Sequence, residues 1–246
     1  RSLKEVPALL EHGPTLWPSS LGDNPTSRSA ITDAIVVCGG IGSRMGSLTL
    51  NNQKCLLPLG GIPMLDYIVR ALTAVGCRRI FFILGHYSSL VKSMIGDGKT
   101  YGIEPVFQEG PFSGTLHSIA SCLPSIKGPF YYVHGNVIFP TRLLEELWSK
   151  YAETGYSQVA LAKTAYSIRH ARVHTYPDGS IKDVDTTGES SPALGDLFIG
   201  IAIYEKKLFD DFADHCTKGM AELVLARSIA NGCHIGAVYY EGRWAH

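Results

Sequence analysis

The sequence predicts an α/β fold: a doubly wound, mixed and mainly parallel sheet of Rossmann-like form. Two observations carry this. Short apolar runs suited to strands buried on both faces alternate with segments of helical periodicity from residue 31 to about 157. The first of those runs ends in a glycine-rich turn, where an α/β fold places its phosphate loop.

The elements follow in order. Residues 1–30 are turn-rich and aperiodic, and read as an N-terminal extension: an arm that packs on the domain or meets a partner, or a flexible tail. Ala34 to Cys38 is the first strand. Leu65, Ile68, Val69, Leu72 and Val75 fall on one face of a helix over 64–75. Arg79 to Leu84 is a second buried strand, and Ser88 suits the N-cap of a helix running to Ile95. Ile103 to Gln108 is a third strand, which Pro105 assigns to a sheet edge or to a strand start. A helix over 114–123, a strand Phe130 to His134 and a helix over 143–153 complete a nucleotide-binding half, 31–157. Beyond it the spacing tightens. Gln158 to Lys163, Ala171 to Tyr176, Ile181 to Val184 and Leu197 to Tyr204 are strands around a Pro177-Asp178-Gly179 turn. Helices near 206–215 and 219–231 and a strand Ile235 to Tyr240 close a substrate-side half, 158–246, of the same domain.

Composition narrows the function. Lys plus Arg and Asp plus Glu number 22 each, so no broad field draws the chain to nucleic acid or an anionic membrane. A phosphate ligand must be held locally, which favours a small-molecule site. No apolar run reaches membrane-spanning length, and no signal peptide is read at Arg1. Cysteines 38, 55, 77, 122, 216 and 233 have no Cys-x-x-Cys spacing and read as free, buried thiols of a cytoplasmic protein, without a zinc site.

The glycine turn is Cys38-Gly-Gly-Ile-Gly-Ser-Arg-Met-Gly46. Glycines let the backbone turn sharply and bring amide N–H groups against an anion. Two known loops fail on spacing. A dinucleotide fingerprint requires glycine where Met45 stands and an acid after the second strand, where Gly85-His86 is found. A Walker A loop requires Gly-Lys-Ser/Thr, which the turn lacks.

The remaining pattern resembles the Gly-Gly-x-Gly-Thr/Ser-Arg loop of the sugar-1-phosphate nucleotidylyltransferases. The likeness continues in order through Lys54-Cys-Leu-Leu-Pro58, Gly61-Ile-Pro-Met64, Gly96-Asp-Gly98 with Tyr101-Gly-Ile103, Gln108 with Ser113-Gly-Thr115, and Gly135-Asn-Val-Ile-Phe139. Gly200-Ile-Ala-Ile-Tyr204 and Tyr239 to Trp244 are weaker echoes. The resemblance implies a nucleotidyltransferase, GT-A-like fold. It also implies attack by a sugar-1-phosphate oxygen on the α-phosphorus of a nucleoside triphosphate, releasing pyrophosphate. Arg44 and Lys54 would offset the triphosphate charge as catalytic groups, and Gly39, Gly40, Ile41, Gly42 and Ser43 would cradle it. Gln108 and Gly114 would read the base edge, Thr115 would join the nucleotide site, and Lys163 and Gly200 would meet the acceptor. Taken alone, Gln108 is equally an ordinary strand-end residue, Lys163 reads more simply as a solvated lysine, and His117 as an exposed or satisfied histidine.

The pattern departs from the family at its metal positions. Asn136 and His246 stand where the resemblance expects acids, so Mg²⁺ binding is expected to be weak or replaced by Mn²⁺ or Zn²⁺. Gln53 replaces a proline, and Val184-Asp-Thr-Thr187 stands where a Glu-Lys pair is expected. Two functions follow: an active nucleotidylyltransferase, or a catalytically weakened homologue that binds nucleotide or sugar nucleotide as a regulatory or partner domain. The base stays open, as does the acceptor: hexose 1-phosphate, cyclitol phosphate or an alcohol phosphate such as phosphocholine. A homo-oligomer is also open, with the N-terminal arm and the Phe81-Phe82 strand as candidate surfaces.

Overall fold

The computed structural model describes residues 30–40, 52–110, 114–163, 171–185, 195–212, 222–242 and 244. The N-terminal extension and residues 41–51, which include Ile41, Gly42, Ser43 and Arg44, lie outside them, as does His246.

The apolar runs become β1 (Asp33–Val37), β4 (Arg79–Ile83), β5 (Glu104–Gln108) and β6 (Phe130–His134). Between them lie α1 (Met64–Ala74), α2 (Ser88–Ile95) and α3 (Thr115–Cys122), with α4 (Thr141–Thr154) after β6. A two-residue hairpin, β2 (Pro58–Leu59) and β3 (Ile62–Pro63), precedes α1. The second half supplies β7 (Gln158–Ala162), β8 (Arg172–Thr175), β9 (Ile181–Asp185), β10 (Asp196–Tyr204), α5 (Glu222–Ala230) and β11 (Gly236–Tyr239).

The main sheet runs β11-β7-β10-β6-β1-β4-β5. β1 is parallel to β4 and β6, β4 to β5, and β7 to β11; β10 alone on this path runs antiparallel to its neighbours β6 and β7. The β8–β9 hairpin joins through β8 to β10. The chain winds outward from β1 through β4 to β5, then returns to β6 on the other flank of β1. That reversal is a topological switch point, where open α/β sheets leave a crevice beyond their carboxyl ends.

Strand periodicity builds the core on both faces. Along β1, Ala34 and Val36 pack with α1 residues Leu65, Ile68 and Leu72 and α4 residues Leu143, Leu144 and Leu147. Ile35 faces the other way, toward Leu116 and Ile119 of α3 and Val224 and Leu225 of α5. β6 divides likewise, Tyr131 and Val133 to one side and Phe130 and Tyr132 to the other. At the amino edge, Asp33 takes both Nε (3.1 Å) and Nη2 (2.7 Å) of Arg79, and Nη2 also donates to the Ser125 carbonyl. This pair pins β1 to β4 at the end away from the crevice.

Some expectations change. Phe81 and Phe82 are fully buried in β4, which lies inside the sheet, so that strand offers no surface to a partner. Ser88 is the first helical residue of α2, not its cap; Tyr87 precedes it with φ of 56° and no side-chain cap bond. The segment expected to be helical near 206 is a 3-10 run, Lys206–Phe212. Cys38, Cys55, Cys77 and Cys122 are buried free thiols as expected, whereas Cys233 is exposed.

Candidate active site

The parallel strands end on one edge, and their register aligns those ends. Val37 pairs with Ile83 and with His134, and Ile83 with Gln108, so four strand ends share one rung. At about 4.8 Å per strand, His134 and Gln108 stand roughly 14 Å apart along it. Backbone bonds continue the alignment past the strands: Cys38 N–H to Ile83 O at 2.8 Å, Leu84 N–H to Gln108 O at 2.9 Å, and Gly135 N–H to Val37 O at 2.9 Å. Gly39 and Gly40 therefore leave β1 between Gly85 and Gly135. The approach is close: a Cβ on Gly85 would lie 2.5 Å from the Gly39 carbonyl oxygen, so only glycine fits there.

Lys54 stands on a 3-10 turn, Lys54–Leu56, that Gln53 organises. The Gln53 side chain is 2% exposed; its Oε1 accepts from Lys54 N–H at 2.8 Å, and its Nε2 donates to the His86 carbonyl at 2.8 Å. The residue that departs from the family's proline thus clamps the lysine's turn to the loop after β4. On the far side, Gln108 donates through Nε2 to Ser121 Oγ on α3 (3.1 Å). Gly114 and Thr115 open α3, whereas Ser121 lies near its other end, so this bond draws the Gln108 amide along the helix and away from them. His117 is half-buried on the same helix.

The second half meets the same edge because β10 is reversed: its first residue, Asp196, lies beside the last residues of β7. Lys163 follows β7, and its Nζ lies 5.3 Å from the centroid of the Tyr239 ring. Tyr239 donates its hydroxyl to Asp196 Oδ2 at 2.7 Å and lies 2.7 Å from Thr175 Oγ1. Burial, with Asp196 beside it, raises the Tyr239 phenol above its ordinary value despite the Thr175 bond, so it keeps its proton at neutral pH.

Gly200 sits at the β-bulge between Phe198 and Ala202 with φ of +83°. A Cβ there would come 2.6 Å from His134 Cγ. Gly200 makes room for the His134 imidazole, whose Nε2 is 2.8 Å from the Tyr132 hydroxyl and whose edge meets Phe198 at 6.1 Å. The sequence reading did not single out His134, which the strand register places on this edge. A polar residue closing an apolar strand directly before Gly135-Asn136 was the available signal. Tyr132 below it is fully buried, and desolvation, then the nearby Glu222 carboxylate, hold its phenol well above its usual range.

Gly39, Gly40, Lys54, Gln108, Gly114, Thr115, Asn136, Lys163 and Gly200 thus stand at or near one sheet edge. Asn136 follows β6 there as a half-buried residue. Among the described residues no group of three or more His, Cys, Asp or Glu is disposed to hold a metal, and Asn136 offers a neutral amide oxygen. A carboxylate oxygen in that place would suit a hard dication such as Mg²⁺ better. Nor is any described helix long and apolar enough to cross a membrane.

The chain is similar to the N-acetylmuramate alpha-1-phosphate uridylyltransferase of Neisseria meningitidis, 27% identical over an alignment of 192 residues that covers 72% of this chain and 77% of that protein. It is 31% identical over 116 residues to the bifunctional protein GlmU of Methanococcus vannielii, covering 47% of this chain but only 27% of GlmU. Its fold is similar to the inositol-1-phosphate CTP transferase of T. maritima, with a TM-score of 0.74 at 18% identity, covering 88% of this chain and 89% of the other. The model of the MobA-like NTP transferase domain matches residues 34–233, and the chain belongs to this family of nucleotidyltransferases.

Proposed function

We propose that this nucleotidyltransferase transfers a nucleoside monophosphate from a nucleoside triphosphate to a sugar 1-phosphate. A phosphate oxygen of the acceptor attacks the α-phosphorus in line; the bond from that phosphorus to the β-phosphate bridging oxygen breaks, and pyrophosphate leaves. The observation that carries this reading is the single sheet edge: Gly39, Gly40 and Gln108 stand at or just past aligned strand ends, Gln53 ties the turn of Lys54 to the loop after β4, and the Lys163–Tyr239–Asp196 group stands at the same edge beyond His134. Lys54 and Arg44 offset the triphosphate charge, and the amides of residues 39–43 receive its oxygens. Gln108, Gly114 and Thr115 hold the base, while Lys163 meets the acceptor phosphate. With no acid at Asn136, Mg²⁺ binds weakly and Mn²⁺ serves better. Free thiols at Cys38, Cys55, Cys77, Cys122 and Cys233 suit a cytoplasmic setting.

A second reading, a weakened homologue that binds nucleotide as a partner domain, is favoured by Asn136. Pyrophosphate release separates the two. CTP, UTP, GTP, ATP and dTTP are each paired with glucose, N-acetylglucosamine and N-acetylmuramate 1-phosphates, with Mg²⁺ or Mn²⁺. Turnover of one pair, faster with Mn²⁺, is expected. Thermal protection by a triphosphate without release from any pair would transfer support to the second reading; neither signal would sink both.

A further inference from the structure

We propose that Tyr239 is a positioning residue of the acceptor subsite, holding Lys163 and Asp196 so that together they grip a molecule bearing both a phosphate and a hydroxyl. The inference rests on the reading of Lys163 given above and assigns the part that reading leaves out.

The argument begins with register. β11 and β10 flank β7: Tyr239 pairs with Leu161 on one side, and Leu197 with Ala162 on the other, which sets Asp196 beside Lys163. Tyr239 and Asp196 are thus two strand spacings apart, roughly 10 Å between backbones. Their side chains nevertheless meet at 2.7 Å. The tyrosine therefore lies across the end of β7, the strand from which Lys163 emerges, and the ammonium rests 5.3 Å from the ring centroid it crosses. One side chain spans the strand and touches both charged partners.

The hydrogen bonds run in a single direction. The protonated phenol has one hydrogen, and it goes to Asp196 Oδ2, so the Thr175 hydroxyl donates to the phenol oxygen. Thr175 is in turn placed by β8, where Val173 pairs with Asp196. The chain Thr175 to Tyr239 to Asp196 fixes the carboxylate in orientation and leaves Oδ1 without a partner among the described residues. A fixed cation beside a fixed acceptor oxygen suits a phosphorylated polyol: the ammonium takes the phosphate, and Oδ1 accepts from a hydroxyl. The ring contributes through the attraction of its face for the ammonium, which restrains a side chain that otherwise has much rotamer freedom to lose on binding.

Three variants test this in the pyrophosphate-release assay, with the sugar 1-phosphate and triphosphate that turn over fastest. Tyr239→Phe keeps the ring and removes the hydroxyl; the acceptor KM is expected to rise about threefold. Tyr239→Leu removes both, and about tenfold is expected, with the triphosphate KM unchanged. In a Lys163→Met background, Tyr239→Leu should add far less than it does alone. If Lys163→Met leaves the acceptor KM where it was, the reading of Lys163 falls and this inference with it. If Lys163→Met raises that KM but the Tyr239→Leu effect adds in full, the reading stands and the positioning role is overturned. A Tyr239→Phe protein that moves both KM values equally marks a merely structural tyrosine and also overturns it. Absence of turnover with every pair removes the premise.

Discussion

The two halves of the carboxyl edge are built differently. On the β5-β4-β1-β6 side the site is made largely of backbone: strand ends on one rung, glycines where chains nearly touch, and one clamped lysine turn. On the β10-β7-β11 side it is made of side chains: Thr175, Asp196 and Tyr239 come from three strands, Lys163 from the end of a fourth, and they meet only after folding. A backbone cradle for phosphate imposes glycine at fixed, local spacing, because only an absent Cβ lets amides approach an anion. A side-chain cluster imposes no spacing. If the second half receives the acceptor, it can vary to suit that acceptor while the first half keeps its motif.

The sharpest way to break the comparison is at Lys54. If the nucleotide side supplies the charge that stabilises the transition state, Lys54→Met should lower kcat/KM by about a hundred- to a thousandfold. A Lys163→Met change should act mainly through the acceptor KM. Steady-state kinetics with each substrate varied in turn check this. A Lys54→Met enzyme within threefold of wild type would show that the clamped turn carries no catalytic charge.

Gly200 tests where the halves join. Alanine there must adopt φ of +83° and place a methyl group against the His134 ring. Backbone strain and displacement of the imidazole together should lower stability by about 2–4 kcal/mol, roughly 5–15 °C in Tm. Adding His134→Ala removes the collision but not the strain, so calorimetry should find about half the loss recovered. Full recovery, or none, would mean that the contact between imidazole and bulge is not what demands glycine.

The same division explains what was legible in advance. Alternating apolar and helical segments fixed the parallel strands, because strands buried on both faces must be apolar throughout, and Pro105 marked β5 as an edge strand because it cannot donate to a second neighbour. The β2–β3 hairpin was not seen; two residues per strand carry no periodicity. Ser88 has the chemistry of a cap, but the chain turns at Tyr87, where the preceding His86 carbonyl is held by Gln53 from 33 residues away. Gln53 itself looked like a lost proline, since its burial and its two bonds are tertiary facts. Resemblance alone pointed to Lys163 and Gly200; why Gly200 is glycine depends on His134, and Lys163's neighbour Tyr239 lies 76 residues further on, beyond any local pattern.

Asn136 offers the smallest expected effect and the most direct comparison between the halves, because it stands at the end of β6, beside both. It follows Gly135, whose N–H bonds Val37 O, so its place on the edge is set by backbone. Asn136→Asp replaces a neutral amide oxygen with a charged carboxylate oxygen, the ligand that Mg²⁺ prefers. The Mg²⁺ concentration giving half-maximal pyrophosphate release should fall about tenfold, equivalent to about 1.4 kcal/mol, while that for Mn²⁺, which tolerates softer donors, should move less. The triphosphate KM should follow the metal, and the acceptor KM should not. Equal changes for both metals would point to a general electrostatic effect at the edge. No change for either would place the dication away from β6 altogether, and the end of that strand would then serve His134 and the acceptor alone.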